Sequence, residues 1–307
     1  MSFDDRDGHI WMDGEFVDWR DAKVHVLTHT LHYGLGIFEG VRAYETEHGA
    51  AIFRLDRHTE RLFQSAKIMG MELPFSEAEV NQAQLDCVKK NELDSGYIRP
   101  MAWYGSQAMG LHAKGLKVHL MVAAWEWGTY LGEDALKNGI RVKTSSFSRH
   151  HVNSSMAKAK TNGHYTNSIL ATQEAEKCGY DEALLLDNTG YVAEGSGENI
   201  FIVRRGKLYT PMLTSALEGI TRDSVVEIAR EDMGLEIVEK QITRDEVYTA
   251  DEAFFTGTAA EVTPIRSLDD RELGSGTAGE ITLELQKRYF DAVHGRDPKR
   301  ADWIFPV

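Results

Sequence analysis

The chain has 307 residues, long enough to bury the cores of two domains, and carries 34 basic against 48 acidic side chains for a formal charge of −14 at pH 7. That balance disfavours a polyanionic partner, and no basic run supplies the footprint that nucleic acid needs. The acidic start MSFDDRDGHI has no apolar segment, and no later apolar run approaches the roughly 18 residues of a membrane span, so a soluble, cytoplasmic protein is expected. Cys87 and Cys178 give neither a disulfide framework nor a zinc spacing, and both are expected to be small buried hydrophobes in a reducing compartment.

Alternation in HIWMDGEFVDW around Asp13-Gly14 predicts a β-hairpin, because that dipeptide tolerates the positive φ of a tight turn. A second hairpin follows in GVRAYETEHGAAIFRL. Asp56 then reads as the N-cap of a helix whose apolar face is Leu62, Phe63, Ala66 and Met69 and whose stop is Gly70. Ser76 with Glu79 forms a capping box that opens a second helix toward Asn91. The strands YIRPMAWYG and KVHLMVAAWEW complete an α+β first domain over residues 1–127. The glycine-rich, polar run GTYLGEDALKNG, residues 128–139, is the expected linker.

The second domain, 140–307, opens with the strand IRVKTSSF. A helix is expected over Tyr165 to Lys177, ended by Gly179, and the turn DNTG joins the strands DEALLL and YVAEG. Next come the hairpin NIFIVRRGKLYT and a helix capped by Thr221, with Val225, Val226, Ile228 and Ala229 inward. The fold class is mixed α/β. Strands and helices alternate too irregularly for a doubly wound sheet, no G-x-G-x-x-G opens a βαβ unit, and no repeat is visible.

Several short stretches could carry chemistry, and each has a bland alternative. Lys158 and Lys160 in SSMAKAKTNGHYTNS could both be solvated charges. In EGSGENIF, glycines let the backbone approach a ligand and Glu194 could hold a protonated ring nitrogen or only complete a turn. GIT, residues 219–221, puts free N–H groups at a helix start, where phosphate binds without a charged side chain; TGTAAE, residues 256–261, offers similar donors, and Arg61 a formal charge. The twelve histidines lack acid and histidine partners at ligand spacing, so no metal is expected. A hydrolase elbow is absent, since the glycines of EGSGE sit too close to Ser196.

In order, DAKVHVLTHTLHYGLGIFEGVRAYE, YIRP, WGTYLG, KTNGHY, EGSGENIF, LEGITRD and GTAAEVTPIR resemble one family across nearly the whole chain: the branched-chain amino acid aminotransferases of the fold-type IV pyridoxal-phosphate enzymes. The resemblance implies that fold type's two-domain architecture and a cofactor lysine five residues before a tyrosine, which is Lys160 before Tyr165 and not Lys158. Lys158 is then expected to be a solvated or loop charge. Family members often read Lys-x-Gly-Gly-Asn-Tyr, whereas Asn162 and His164 stand here at the first glycine and the asparagine.

By the same resemblance the lysine forms a Schiff base with pyridoxal 5′-phosphate and then serves as the base, Glu194 pairs with the pyridine nitrogen, and Tyr165 bonds the phenolic oxygen. Arg61, the N–H groups of Ile220 and Thr221, and Thr258 would hold the phosphate, with Leu217 against the ring. Phe38, Tyr33, Tyr130, Trp127, Met109 and Tyr165 would surround the substrate side chain, and Gly40 would leave room for it. Arg99, backed by Tyr33 and Tyr130, would take the γ-carboxylate of glutamate; Tyr97 and the N–H groups of Thr258 and Ala259 would take the α-carboxylate.

The expected reaction interconverts L-leucine, L-isoleucine and L-valine with their 2-oxo acids, using 2-oxoglutarate and glutamate as the other pair, in a homo-oligomer that is a dimer or a dimer-based hexamer. Within the fold type the alternatives are a D-amino acid aminotransferase and 4-amino-4-deoxychorismate lyase, which differ in the first-half residues that meet substrate. A catalytically silent cofactor-binding protein would not need Lys160, Tyr165 and Glu194 intact. A cofactor-free Schiff-base aldolase would leave LEGITRD and Glu194 without a task.

Overall fold

The structure, a computed structural model, describes residues 2–128 and 132–307. The chain forms two compact units, one gathering Met1–Gly128, Ala159–His164 and Ala292–Val307, the other Thr129–Lys158 and Tyr165–Asp291. A cut at 128–139 alone would therefore leave two pieces of sequence, 159–164 and 292–307, on the wrong side.

In the first unit the hairpin forms as its turn chemistry dictates. Strands His9–Met12 and Glu15–Asp18 pair antiparallel about Asp13 at φ 52 and Gly14 at φ 102. The described residues of this unit build an eight-stranded sheet in the order Ile304–Pro306, Gly49–Phe53, Val41–Thr46, Gly96–Tyr104, Val118–Trp125, His9–Met12, Glu15–Asp18, with Gly36–Phe38 also laid along Gly96–Tyr104. Its pairings are antiparallel.

Helices Leu55–Ile68 and Glu77–Lys90 cover the sheet and bury Leu62, Ala66, Val80, Ala83 and Val88 with Val41, Ile52, Ile98 and Leu120. The capping box of Ser76 and Glu79 is present. Asp56 is not the N-cap, however. The cap and the helix start lie two residues earlier: Arg54 occupies the cap at φ 52, its N–H donating to the Trp303 carbonyl at 2.7 Å, and the helix begins at Leu55. Asp56 instead lies in the first turn, where a carboxylate complements the helix dipole.

Cys87 is buried in this core and its thiol is pushed up to about 12 by burial. Cys178, which follows the second unit's helix Tyr165–Lys177, is exposed, so only one cysteine behaves as a core hydrophobe.

The described residues of the second unit form a nine-stranded mixed sheet in the order Val192–Gly195, Glu182–Leu186, Ile140–Thr144, Glu261–Leu268, Glu252–Gly257, Asn199–Arg204, Lys207–Pro211, Ile237–Lys240, with Arg271–Glu272 beside Glu261–Leu268. Three pairings are parallel: Ile140–Thr144 with both of its neighbours, and Lys207–Pro211 with Ile237–Lys240. Inside the expected linker, Glu133–Asn138 is a helix that seats Ala135 in the core with Ile140, Val142 and Leu184. The next helix, Tyr165–Lys177, has the expected bounds and is followed by Gly179 at φ 80. Thr221 is not a cap; Gly219 is, and Thr221 is the second residue of the helix Ile220–Glu231. Among the described residues no helix is long and apolar enough to cross a membrane.

Candidate active site

In the first unit the segment Ala159–His164 lies along the strand Gly36–Phe38. The Phe38 N–H donates to the Lys160 carbonyl at 3.1 Å, Ile37 and Thr161 form a β-bridge, and the Lys160 N–H donates to Ser65 Oγ at 3.0 Å. The Lys160 backbone is thus fixed from two elements, while Nζ stands 5.2 Å from the Phe38 ring centroid. Asn162–His164 is a single 3-10 turn, and the Gly163 N–H donates to the Gly34 carbonyl at 3.1 Å. A Cβ at Gly163 would meet that same carbonyl oxygen at 3.3 Å, so the glycine retained in KTNGHY answers a close backbone approach.

Beside this segment, Glu39 is fully buried and grips Arg61 through two bonds, Nε to Oε1 at 2.7 Å and Nη2 to Oε2 at 2.8 Å. His58 Nδ1 lies 2.8 Å from Oε2 and donates, since an ionised carboxylate only accepts. Burial opposes the charge on Glu39, but the guanidinium and the imidazole outweigh it and hold the carboxyl far below its ordinary range. Burial pushes His58 down, against the opposing pull of Glu39, which favours a neutral ring at pH 7.

Arg99, Tyr97, Phe38 and Gly40 come together on the same face. Arg99 Nη2 donates to Tyr97 Oη at 3.3 Å, and the guanidinium carbon is 4.6 Å from the Phe38 centroid and 5.3 Å from that of Tyr97. Its buried Nε has no hydrogen-bond partner. Trp125 and Trp127 flank Tyr97 at 5.3 and 5.5 Å. A Cβ on Gly40 would lie 1.9 Å from Tyr97 Oη, so a side chain there would displace the tyrosine hydroxyl. Tyr33 and Met109 are exposed, and Tyr33 Oη accepts from the Gly110 N–H at 3.1 Å. Tyr130 lies outside the described residues.

The second unit holds the other named residues. Glu194, on the strand Val192–Gly195, receives Arg149 Nε and Nη2 on Oε1, both at 2.7 Å, and the Leu217 N–H on Oε2 at 3.2 Å. Arg149 is itself braced by Asn167 Oδ1 at 3.0 Å and Ser168 Oγ at 3.2 Å, from the helix that Tyr165 begins. Asn199 Nδ2 donates to the Leu217 carbonyl at 3.0 Å, and a Cβ on Gly219 would sit 2.0 Å from Asn199 Oδ1. This glycine is therefore where the chain turns tightly into Ile220 and Thr221, both buried.

Thr258 and Ala259 form the turn after the strand Glu252–Gly257. Under that turn lies Glu198, buried between the backbones of Gly195 and Gly257 with its Oε2 accepting from the Gly197 N–H at 3.0 Å. Burial and the nearby Glu182 carboxyl push Glu198 up to about 8.

Lys158 departs from expectation. Its ammonium donates to the Leu213 carbonyl and to the Ala216 carbonyl at 3.3 Å, and pairs with Glu218 Oε1 at 3.2 Å, so it is a tether and not a solvated charge. Two further groups escaped the sequence. Arg149, in SFSRHHV, sits in no motif. Glu39 was visible as an acid inside the apolar run GIFEGV, a pattern that predicts a buried partner.

The first unit offers an amine on a fixed backbone and an arginine within an aromatic cluster; the second offers a carboxylate anchored by an arginine and a helix start capped by glycine. The family model for amino-transferase class IV matches residues 36–268. A curated branched-chain-amino-acid aminotransferase of Pseudomonas aeruginosa is 62% identical over 99% of this chain and 98% of its own length. A crystal structure of the T.th. branched-chain amino acid aminotransferase with pyridoxamine 5′-phosphate is 51% identical, with a TM-score of 0.95, covering 98% of this chain and 99% of that one. The same enzyme complexed with N-(5′-phosphopyridoxyl)-L-glutamate is 49% identical, with a TM-score of 0.93 and the same coverage. The chain belongs to the class IV aminotransferases and, within them, to the branched-chain amino acid aminotransferases.

Proposed function

We propose that the chain is a pyridoxal 5′-phosphate-dependent transaminase that interconverts L-leucine, L-isoleucine and L-valine with their 2-oxo acids, with 2-oxoglutarate and glutamate as the second pair. The observation that carries this reading is Glu194, which keeps a carboxylate in place by committing one oxygen to Arg149 and the other to a backbone N–H. The donor set fits the cofactor. Lys160 supplies an amine, Glu194 an acceptor for a protonated ring nitrogen, and the start of the helix Ile220–Glu231, capped by Gly219 with no side-chain bond, offers N–H groups for a phosphate.

When bound, the cofactor supplies an electron sink for the carbanion left at the substrate Cα. The chain's own residues do the rest. Lys160 would hold the cofactor and move the proton from the substrate Cα. Glu194 would keep the ring nitrogen protonated, Tyr165 would bond the phenolic oxygen, and Leu217 would bear on the ring. Arg61, Ile220, Thr221 and Thr258 would hold the phosphate. Phe38, Gly40, Trp127, Met109, Tyr33, Tyr130 and Tyr165 meet the substrate side chain, Arg99 the γ-carboxylate, and Tyr97 with Thr258 and Ala259 the α-carboxylate.

The D-amino acid and lyase alternatives are not favoured, because relatives aligned over nearly the full chain carry the branched-chain name. A homo-oligomer in the cytoplasm is part of the same reading, supported by exposed Val24, Val26, Leu27, Leu31 and Tyr33 along one stretch of the first unit and by two free cysteines. A half-reaction screen of L- and D-amino acids tests the activity by following the cofactor's absorption. Leucine, isoleucine, valine and glutamate are expected to react; a preference for D-enantiomers would refute the reading. Analytical ultracentrifugation checks the oligomer.

A further inference from the structure

Lys158 stands two residues before the lysine assigned to the cofactor, yet it serves another part of the chain. An ammonium has three donors and no acceptor. Here they meet the carbonyls of Leu213 and Ala216 and the carboxylate of Glu218, three acceptors within one run of six residues. Ser215 and Ala216 within that run are buried, so the tether closes a folded segment and not a surface loop.

The run leads directly to Gly219, whose lack of a side chain means that no N-cap group competes for the first N–H groups of the helix Ile220–Glu231. Leu217 is held independently, its N–H by Glu194 and its carbonyl by Asn199. What Lys158 bonds is therefore the chain on either side of Leu217, up to the Glu218–Gly219 step into the helix.

We infer that Lys158 is a positioning residue for the phosphate end of the cofactor site, setting the helix start through its grip on Leu213, Ala216 and Glu218. The inference rests on the assignment of Ile220 and Thr221 to the phosphate. It makes a selective claim: removing the tether harms recognition of the phosphate and spares recognition of the ring, because Leu217 and Glu194 keep their own bonds.

The test titrates cofactor-free protein with pyridoxal 5′-phosphate and, separately, with pyridoxal, which lacks the phosphate. In Lys158→Met the Kd for pyridoxal 5′-phosphate should rise roughly 10- to 100-fold, the range for losing charge-assisted hydrogen bonds, while the Kd for pyridoxal stays at the parent value. Equal weakening for both probes, or no weakening in a variant that melts like the parent, overturns the inference. If Lys158→Met does not fold, Glu218→Ala removes only the exposed partner, and a two- to fivefold rise, roughly that of an exposed ion pair, is expected for the phosphorylated probe alone. An unchanged Kd in that variant overturns the inference as well. A parent protein that does not distinguish the two probes would instead refute the phosphate assignment, and the inference with it.

Discussion

Arg149 fixes Glu194 by delivering two guanidinium nitrogens to a single carboxylate oxygen, each at 2.7 Å, so the second oxygen is left to the Leu217 N–H. Both side chains are about nine-tenths buried. Breaking a buried pair from one side leaves an uncompensated charge and costs about 3 to 5 kcal/mol. Arg149→Met and Glu194→Gln each strand one buried charge and are expected to lose about that much in urea unfolding, and Glu194→Gln should in addition lose at least roughly 10²-fold in turnover. Near-normal turnover in Glu194→Gln would mean that the acid only holds the turn.

Borohydride reduction followed by peptide mapping should place the cofactor on Lys160. Its backbone is held by Phe38 and Ser65, whereas the ammonium of Lys158 is occupied by Leu213, Ala216 and Glu218. Lys160→Ala is expected to fold and to lose covalent attachment entirely. Label recovered on Lys158 would reverse the assignment.

Arg99→Met should divide the two halves of the reaction. A guanidinium has nothing to bind on leucine, but a charge-assisted contact to a carboxylate in a partly desolvated site contributes about 2 to 3 kcal/mol, roughly 30- to 150-fold. The KM for glutamate and 2-oxoglutarate is expected to rise by that factor while single-turnover rates with leucine hold. Because Arg99 also stacks on Phe38, a melting curve belongs beside the kinetics. Equal losses with both amino acids, in a variant that melts like the parent, would place Arg99 outside substrate recognition.

Glu39 should make stability depend on acid. Its folded carboxyl is depressed below the reference value of 4.5, so its contribution is present above about pH 4.5 and fades as the pH falls through the depressed range. Glu39→Gln strands Arg61 and is expected to cost about 3 to 5 kcal/mol at pH 7. The deficit should narrow as the pH drops below about 4, because the parent's unfolded chain then takes up a proton that the folded carboxyl resists. A deficit that stays constant from about pH 7 to roughly 3 would contradict the linkage.

Glu198 carries the opposite sign. Burial and Glu182 raise it to about 8 from 4.5, so the protonated form's advantage is whole below pH 4.5 and is lost progressively as the pH climbs through 8. Glu198→Gln, a neutral replacement of the same shape, should match the parent at about pH 4 and outlast it in thermal melts at about pH 9. A variant that gains nothing in alkaline melts would show that the acid has found a cation there.

Local signals carried much of this fold into the sequence. Asp13-Gly14, the Ser76 and Glu79 capping box, and the Tyr165 to Lys177 helix each rest on neighbours a few positions apart, and each forms as expected. The misses are tertiary. Arg54 displaced Asp56 as a cap because Trp303, far along the chain, accepts its N–H. Gly219 displaced Thr221 because Asn199 leaves no space for a side chain. The helix Glu133–Asn138 arises in a run that composition marks as a linker, and Ala135 gives it a reason to pack. Among the candidate site residues, those inside motifs could be named from type and spacing, while Arg149 and the tether at Lys158 depend on partners that no local pattern reveals.

The strand Ile304–Pro306 pairs with Gly49–Phe53, and the Arg54 N–H finds its acceptor in Trp303, so the edge of the first unit's sheet is finished by residues that follow the second unit in sequence. During synthesis the early strands must wait, with the Gly49–Phe53 edge open, until the entire second unit has been made. Such an edge is a template for pairing with other chains. The order of assembly is thereby written into the topology: the second unit can close first, and the first unit's edge is covered by a segment made after it.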